Sequence, residues 1–170
     1  MLERPLVNSY WVEAERLLAG EYPGAMRKKV ARQKLRALLL SGVTDFIDLT
    51  EAHELRSYRE LLDEEASTIG RVVNHRRMAI PDFSVPTIET MTRILDVIDQ
   101  TLAADRRVYV HCWGGIGRTG TVIGCYLVRH GFSGEAALQQ IAQWRADTPK
   151  ADRPSPETEG QRQLVLSWRG

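Results

Sequence analysis

The chain has 170 residues, of which 43% are hydrophobic and 26% are charged, a composition typical of one globular domain. Its 23 basic and 22 acidic residues leave a formal net charge of +1, so no overall field recruits nucleic acid or a membrane. Two cysteines do not make a disulfide framework and favour a reducing compartment. Without a membrane-length apolar run or a secretory signal, we expect a cytoplasmic monomer with a single domain over residues 1–170.

The first part of the chain predicts a hairpin, a helix and a strand. Residues 10–12 and 17–20 are short apolar runs that indicate two paired strands. Residues 25–41 are amphipathic, with inward positions at Val30, Leu35, Leu38 and Leu39 and basic side chains outward. Gly42 ends this helix, and the apolar run 43–50 predicts a central strand.

The residues that follow this strand are candidates for the rim of a site. In a parallel sheet the carboxyl ends of the strands share one edge, where ligands bind in α/β folds. Glu51 and His53 would lie there, either as rim residues or as part of an ordinary polar loop. A helix is expected over residues 54–67, and a further strand over 72–78 carries Arg76 and Arg77 near its end.

Residues 79–86 place an acid between two prolines. Proline restricts the shapes of a loop, which suits an acid that must be presented at one point. Taken alone, Asp82 would be an ordinary turn residue. The loop leads into a predicted helix over residues 87–104.

The most informative stretch is residues 108–128, which predict a buried strand, a glycine-rich loop and a buried helix. Backbone N–H groups that converge at a helix N-terminus form a cradle for an anion. Cys112 stands at one end of this loop and Arg118 at the other, with five residues between them. The cradle and the guanidinium favour the thiolate over the thiol, which indicates a nucleophile directed at a phosphate.

The segment His111-Cys112-x5-Arg118-Thr119 resembles the signature of the cysteine-dependent protein tyrosine phosphatase superfamily, in its compact dual-specificity branch. The resemblance implies an α/β fold, a central mostly parallel five-stranded sheet flanked by helices. It implies Cys112 as nucleophile, Arg118 as phosphate ligand, Asp82 as general acid and Thr119 as a hydroxyl that hydrogen-bonds the sulfur. The expected phosphate-binding residues are Trp113, Gly114, Gly115, Ile116, Gly117 and Arg118, with His111 in support through a backbone hydrogen bond.

The last third of the chain predicts two more helices. Gly131 and Ser133 mark the end of one helix and the start of the next, which runs to about residue 146. Ser155 and Pro156 have the pattern of an N-cap and a first helical residue for the final helix. In the family a glutamine at this place can orient water; here Glu157 aligns with it and Gln161 lies one turn on, so the role is left unassigned between them.

The resemblance implies hydrolysis of phosphotyrosine, and also of phosphoserine or phosphothreonine in a shallow pocket, without a metal or other cofactor. The alternative is a phosphoinositide or other small phosphate ester as substrate. The uncharged loop interior argues against a highly phosphorylated inositol, although Arg76 and Arg77 could restore a positive rim. A rhodanese-like sulfur carrier would not need Asp82, and a phosphopeptide-binding module would normally lose Cys112 or Asp82.

Overall fold

A computed structural model describes residues 3–170 as a sheet of five strands with helices on both faces. The strands are β1 (Ser9–Glu13), β2 (Leu17–Gly20), β3 (Asp45–Asp48), β4 (Asn74–Arg77) and β5 (Val108–His111). Their spatial order is β1-β2-β5-β3-β4. Only the β1–β2 pair is antiparallel, and the other pairs are parallel. The predicted mostly parallel five-stranded sheet is therefore confirmed.

The register of the sheet brings four loops to one edge. Gly20 at the end of β2 and Asp48 at the end of β3 both pair with His111 at the end of β5. Asp48 in turn pairs with Arg77 at the end of β4. Because these strands are parallel, the segments that follow them all leave the sheet at the same edge, which we call the carboxyl edge. Cys112 follows β5 at the centre of this edge.

The helices are α1 (Lys28–Leu40), α2 (Arg59–Thr68), α3 (Ile88–Ala103), α4 (Gly117–Arg129), α5 (Gly134–Arg145) and α6 (Glu159–Ser167). The helices form two hydrophobic clusters, one on each face of the sheet, and strand β5 contributes to both. Val108 and Val110 join the larger cluster, to which α3, α4, α5 and α6 contribute, whereas Tyr109 joins the smaller cluster with α1 and α2. This alternation follows from the two-residue period of a strand, and it buries the sheet on both faces.

Several sequence predictions need correction. Helix α2 begins at Arg59 rather than at residue 54, so residues 54–58 form a separate connecting segment at the carboxyl edge. Val30, expected to face inward, is 40% exposed. The final helix is capped by Thr158, whose hydroxyl accepts from the Gln161 backbone in a capping box, and not by Ser155.

The other local predictions agree with the structure. Gly42 and Gly131 have φ angles of 94° and 100°, as expected for residues that end helices in the left-handed region. Ser133 caps α5 through its hydroxyl, as expected, and Thr87 caps α3 in the same way. Within residues 3–170, none of the helices combines the length and the apolar character needed to cross a membrane.

Candidate active site

The loop of residues 112–118 connects β5 to α4 at the centre of the carboxyl edge. Its backbone turns sharply at Gly115, which has a φ of 72°. A side chain on Gly115 would place its Cβ 2.4 Å from the backbone carbon of Gly20, so β2 lies directly against the loop. Its last two residues, Gly117 and Arg118, are the first two of α4, so the positive end of the α4 dipole points into the loop.

The backbone carbonyls of the 112–118 loop are held by donors outside the loop. Four such bonds are formed: His111 Nδ1 to Cys112 O (3.0 Å), Tyr22 N to Trp113 O (2.9 Å), Lys150 Nζ to Gly114 O (3.2 Å) and Ser155 Oγ to Ile116 O (2.7 Å). In a trans peptide the next N–H points away from the carbonyl. Because these four carbonyls point outward to their donors, the N–H of the residue after each one points toward the inside of the loop, where an anion would be bound.

Arg118 is 1% exposed and is fixed by three neighbours. Its Nη1 and Nη2 donate to the two carboxylate oxygens of Glu54 at 2.6 and 2.8 Å, a bidentate pair. Nη1 also donates to Ile80 O at 3.0 Å, and Nη2 lies 3.1 Å from Asp82 Oδ1. Burial would raise the pKa of Glu54, but the hydrogen bond from Arg118 holds it below its usual range. Arg118 thus connects residues 54–58 and 79–86 to the 112–118 loop.

Cys112 and Asp82 face the same cavity, as predicted. The cavity has a volume of about 290 Å³ and is lined by Asp82, Phe83, Cys112, Trp113, Gly114, Ile116, Gly117, Arg118, Lys150, Arg153 and Glu157. Of the predicted phosphate-binding residues, only Gly115 is outside this lining, because it packs against β2. The Asp82 side chain is 41% exposed, and Cys112 is buried at the base.

His111 supports the loop from the other face of the sheet, as expected. Burial lowers the pKa of His111 to about 4, so its ring is neutral near pH 7. Because Nδ1 donates to Cys112 O, Nε2 is the acceptor for the hydroxyl of Tyr58, which lies 2.7 Å away. A buried chain of hydrogen bonds therefore runs from Tyr58 through His111 to the backbone of Cys112.

One predicted detail differs in the structure, and the pair Glu157 and Gln161, left unassigned from the sequence, now has defined contacts. The hydroxyl of Thr119 is buried and has no hydrogen-bond partner within residues 3–170, so its expected bond to the sulfur is not formed here. The amide of Gln161 is bound to backbone: Oε1 accepts from Glu157 N and Thr158 N, and Nε2 donates to Ser84 O at 3.3 Å. Glu157 instead lines the cavity and pairs with Arg153.

Sequence reasoning missed Glu54, Lys150, Arg153 and Ser155. Glu51 and His53 were the rim candidates, but neither lines the cavity that contains Cys112. His53 is exposed, and its Nε2 lies 4.0 Å from the Glu51 carboxylate. Glu54 was assigned to a helix, and no local pattern links it to Arg118, 64 residues away. Ser155 has a cap-like sequence context, and its inward hydrogen bond to Ile116 depends on the tertiary fold.

The arrangement of sheet, 112–118 loop and cavity defines the dual-specificity fold of the cysteine-dependent phosphatases. The structure is similar to "Tk-PTP in the active form", with a TM-score of 0.73, 25% sequence identity and coverage of 96% of this chain and 98% of that one. This likeness extends over nearly the whole of both chains, so it includes the elements that position the candidate site.

A protein-family model identifies the family of this chain. The model Tc-R-P, described as "Polymorphic toxin system, DSP-PTPase phosphatase", matches residues 22–132, more than half of the chain. This chain belongs to that family of cysteine-dependent dual-specificity phosphatases.

Two curated relatives illustrate the range of similar proteins. Dual specificity protein phosphatase CDC14B of Mus musculus is 40% identical over 57 residues, 34% of this chain and 11% of that protein. Phosphatidylinositol 3,4,5-trisphosphate 3-phosphatase and protein-tyrosine-phosphatase PTEN1 of Arabidopsis thaliana is 25% identical over 157 residues, 91% of this chain and 36% of that protein. The chain thus spans about a tenth and about a third of the length of these two relatives.

Proposed function

We propose that this chain hydrolyses phosphotyrosine in proteins through a phosphocysteine intermediate, with Cys112, Arg118 and Asp82 as its catalytic residues. One observation carries the proposal: the thiol, the guanidinium and the carboxyl group line a single cavity at the end of β5. A rhodanese-like sulfur carrier would have no use for the Asp82–Arg118 contact of 3.1 Å.

The first step transfers the phosphoryl group to the enzyme. The dianion is held by the amides of the 112–118 loop and by Arg118, whose contacts with Glu54 fix the guanidinium plane. The Cys112 thiolate attacks phosphorus, an S–P bond forms, and the P–O bond to the leaving group breaks. The leaving oxygen takes the electron pair of that bond and a proton from the Asp82 carboxyl group.

The second step returns the enzyme to its starting state. Asp82, now a carboxylate, accepts a proton from a water molecule, and the resulting hydroxide attacks phosphorus. The S–P bond breaks with its electron pair on sulfur, which regenerates the thiolate and releases inorganic phosphate. Gln161 Nε2 holds Ser84 O, so α6 anchors the loop that carries Asp82 during both steps.

Two aromatic side chains at the cavity favour phosphotyrosine. Phe83 and Trp113 both line it and are 61% and 56% exposed, so their rings are free to contact a substrate ring. Aromatic contacts contribute about 0.5–1.5 kcal/mol beyond buried area. The inositol alternative has support in the PTEN1 relative. Of the two arginines at the end of β4, Arg77 is paired with Asp48 at 3.1 Å, whereas Arg76 is exposed and is a cation available to an extra phosphate.

The substrate proposal predicts a preference among matched substrates. We expect kcat/KM for a phosphotyrosine peptide to exceed that for the same peptide with phosphoserine by up to about tenfold, since an aryl contact of this size is worth up to that factor. Released phosphate measures the rates. Replacing Phe83 and Trp113 by leucine should lower the ratio of kcat/KM for the phosphotyrosine peptide to that for the phosphoserine peptide. Phe132→Leu serves as the control, because Phe132 is exposed and lies outside the cavity. Faster hydrolysis of a phosphoinositide than of either peptide would contradict the protein substrate.

A further inference from the structure

A second, smaller cavity lies at the carboxyl edge beside the candidate active site. Its volume is about 60 Å³, and it is formed between the start of α1 and the 54–58 segment. Lys28 from α1 and Arg56 from the segment line it, together with Tyr22 and Tyr58. Both cations are exposed to solvent. The cavity is therefore a basic recess at the surface, distinct from the cavity that contains Cys112.

Tyr22 lines the recess and is bonded to the 112–118 loop. Its backbone N–H donates to Trp113 O in the 112–118 loop at 2.9 Å, and its hydroxyl donates to Arg56 O. Its ring centroid lies 6.4 Å from that of His111, the residue before Cys112. The basic recess is thus joined to the 112–118 loop through the backbone of Tyr22.

The charges at this recess are not balanced within the part of the chain that the structure describes. Neither Lys28 nor Arg56 has a carboxylate within 4.0 Å in residues 3–170, and the same holds for neighbouring Arg27 and Lys29. Glu60 is the acidic residue in the lining. By contrast, Lys150 is already paired with Glu21, and Arg153 with Glu157, at the first cavity.

The position of the basic residues is also unfavourable without a partner. Lys28 and Lys29 occupy the first turn of α1, which contains no acidic residue. Cations at the positive end of a helix dipole are repelled by it. An anion placed in the recess would relieve both this repulsion and the repulsion among the four cations.

We propose that Lys28 and Arg56 form a second anion subsite, which binds a carboxylate or phosphate group of the same phosphotyrosine protein. The inference rests on the proposed function and names its substrate class more closely: a phosphotyrosine flanked by acidic or phosphorylated residues. An extended peptide advances about 3.3 Å per residue, so an anionic side chain one to three positions from the phosphotyrosine reaches past Tyr22. The exposed rings of Phe83 and Trp113 favour such a peptide over a lipid headgroup.

The test compares two phosphotyrosine peptides, one with glutamate and one with glutamine at the three positions on each side. We expect the wild type to prefer the glutamate peptide, and the double variant Lys28→Glu/Arg56→Glu to lower its kcat/KM about tenfold while changing the glutamine peptide less than about twofold. High salt should remove the wild-type preference. Hydrolysis of p-nitrophenyl phosphate should be unchanged, which also shows that the variant is folded.

The single variant Arg56→Glu has Arg71→Glu as its matched control, because Arg71 is exposed and lies before β4, at the opposite edge of the sheet. If these two single variants lost the same kcat/KM on the glutamate peptide, the loss would come from the change in net charge alone, which would overturn the subsite. A double variant that loses activity on phosphoinositide vesicles, but not on the glutamate peptide, would overturn the peptide assignment. Loss of all hydrolysis in the wild type would instead contradict the proposed function itself.

Discussion

Replacing Asp82 with asparagine is expected to lower kcat for a phosphotyrosine peptide by about 10²–10⁴-fold, the usual size of a general acid's contribution. Asparagine keeps the shape of the side chain and can keep the contact of Oδ1 with the Phe83 backbone at 3.0 Å. It cannot supply a proton to the tyrosyl oxygen, whose conjugate acid has a pKa of about 10. Steady-state rates with the peptide measure the effect.

The leaving group provides an internal check on this prediction. A p-nitrophenolate leaves with less need for a proton, so the loss with p-nitrophenyl phosphate should be smaller than with the peptide. Asp96→Asn is the matched control, since Asp96 pairs with Arg129 on the outer surface of α3 and α4. Equal losses with both leaving groups, or an unaffected peptide rate, would remove Asp82 from the role of general acid.

Replacing Glu54 with alanine is expected to lower kcat/KM by about 10²-fold and to destabilise the fold by about 3 kcal/mol. The carboxylate is the bidentate partner of a buried guanidinium, and removal of one member of a buried ion pair leaves the other charge uncompensated. The freed Arg118 can also shift toward Asp82, which lies 3.1 Å away, and misplacement of a phosphate ligand by about 1 Å costs about 10²-fold. Denaturant unfolding and steady-state kinetics measure the two effects.

Glu51→Ala is the control for this variant, because it removes the same charge three residues away without touching Arg118. Glu54→Gln keeps the volume and one acceptor, so it should lie between wild type and Glu54→Ala in both measurements. Full activity and stability of Glu54→Ala would show that Ile80 O and Asp82 suffice to hold Arg118.

The parts of the site that the sequence predicts are those defined by local patterns. The order of strand, glycine-rich loop and helix around Cys112 is readable because each element has its own periodicity within about 20 residues. The placement of Cys112 and Asp82 in one cavity depends on the family motif, since the two residues are 30 positions apart and no local pattern links them. Glu54, Lys150 and Ser155 carry no such pattern, because their roles come from the way separate loops meet at the carboxyl edge.

The two errors at helix starts have physical causes. Ser155 and Thr158 are both competent N-caps, and the choice between them is made by tertiary contacts: Ser155 turns inward to Ile116 O. Thr158 then completes a capping box with Gln161, a four-residue signal that was present in the sequence. Residues 54–58 have apolar positions with helical spacing, but Glu54 is held by Arg118 and the buried Tyr58 is held by His111, so α2 begins only at Arg59.

The most direct test of the phosphocysteine mechanism is to trap the intermediate. Wild-type protein and Asp82→Asn are mixed with p-nitrophenyl phosphate, quenched in acid within the first turnover, and analysed by intact and peptide mass. We expect one added phosphoryl group on the peptide that contains Cys112, with more of it in Asp82→Asn, whose second step lacks its base. Cys112→Ser should show no adduct and no turnover. Turnover without any phosphorylated Cys112, or an unimpaired Cys112→Ser, would contradict the account.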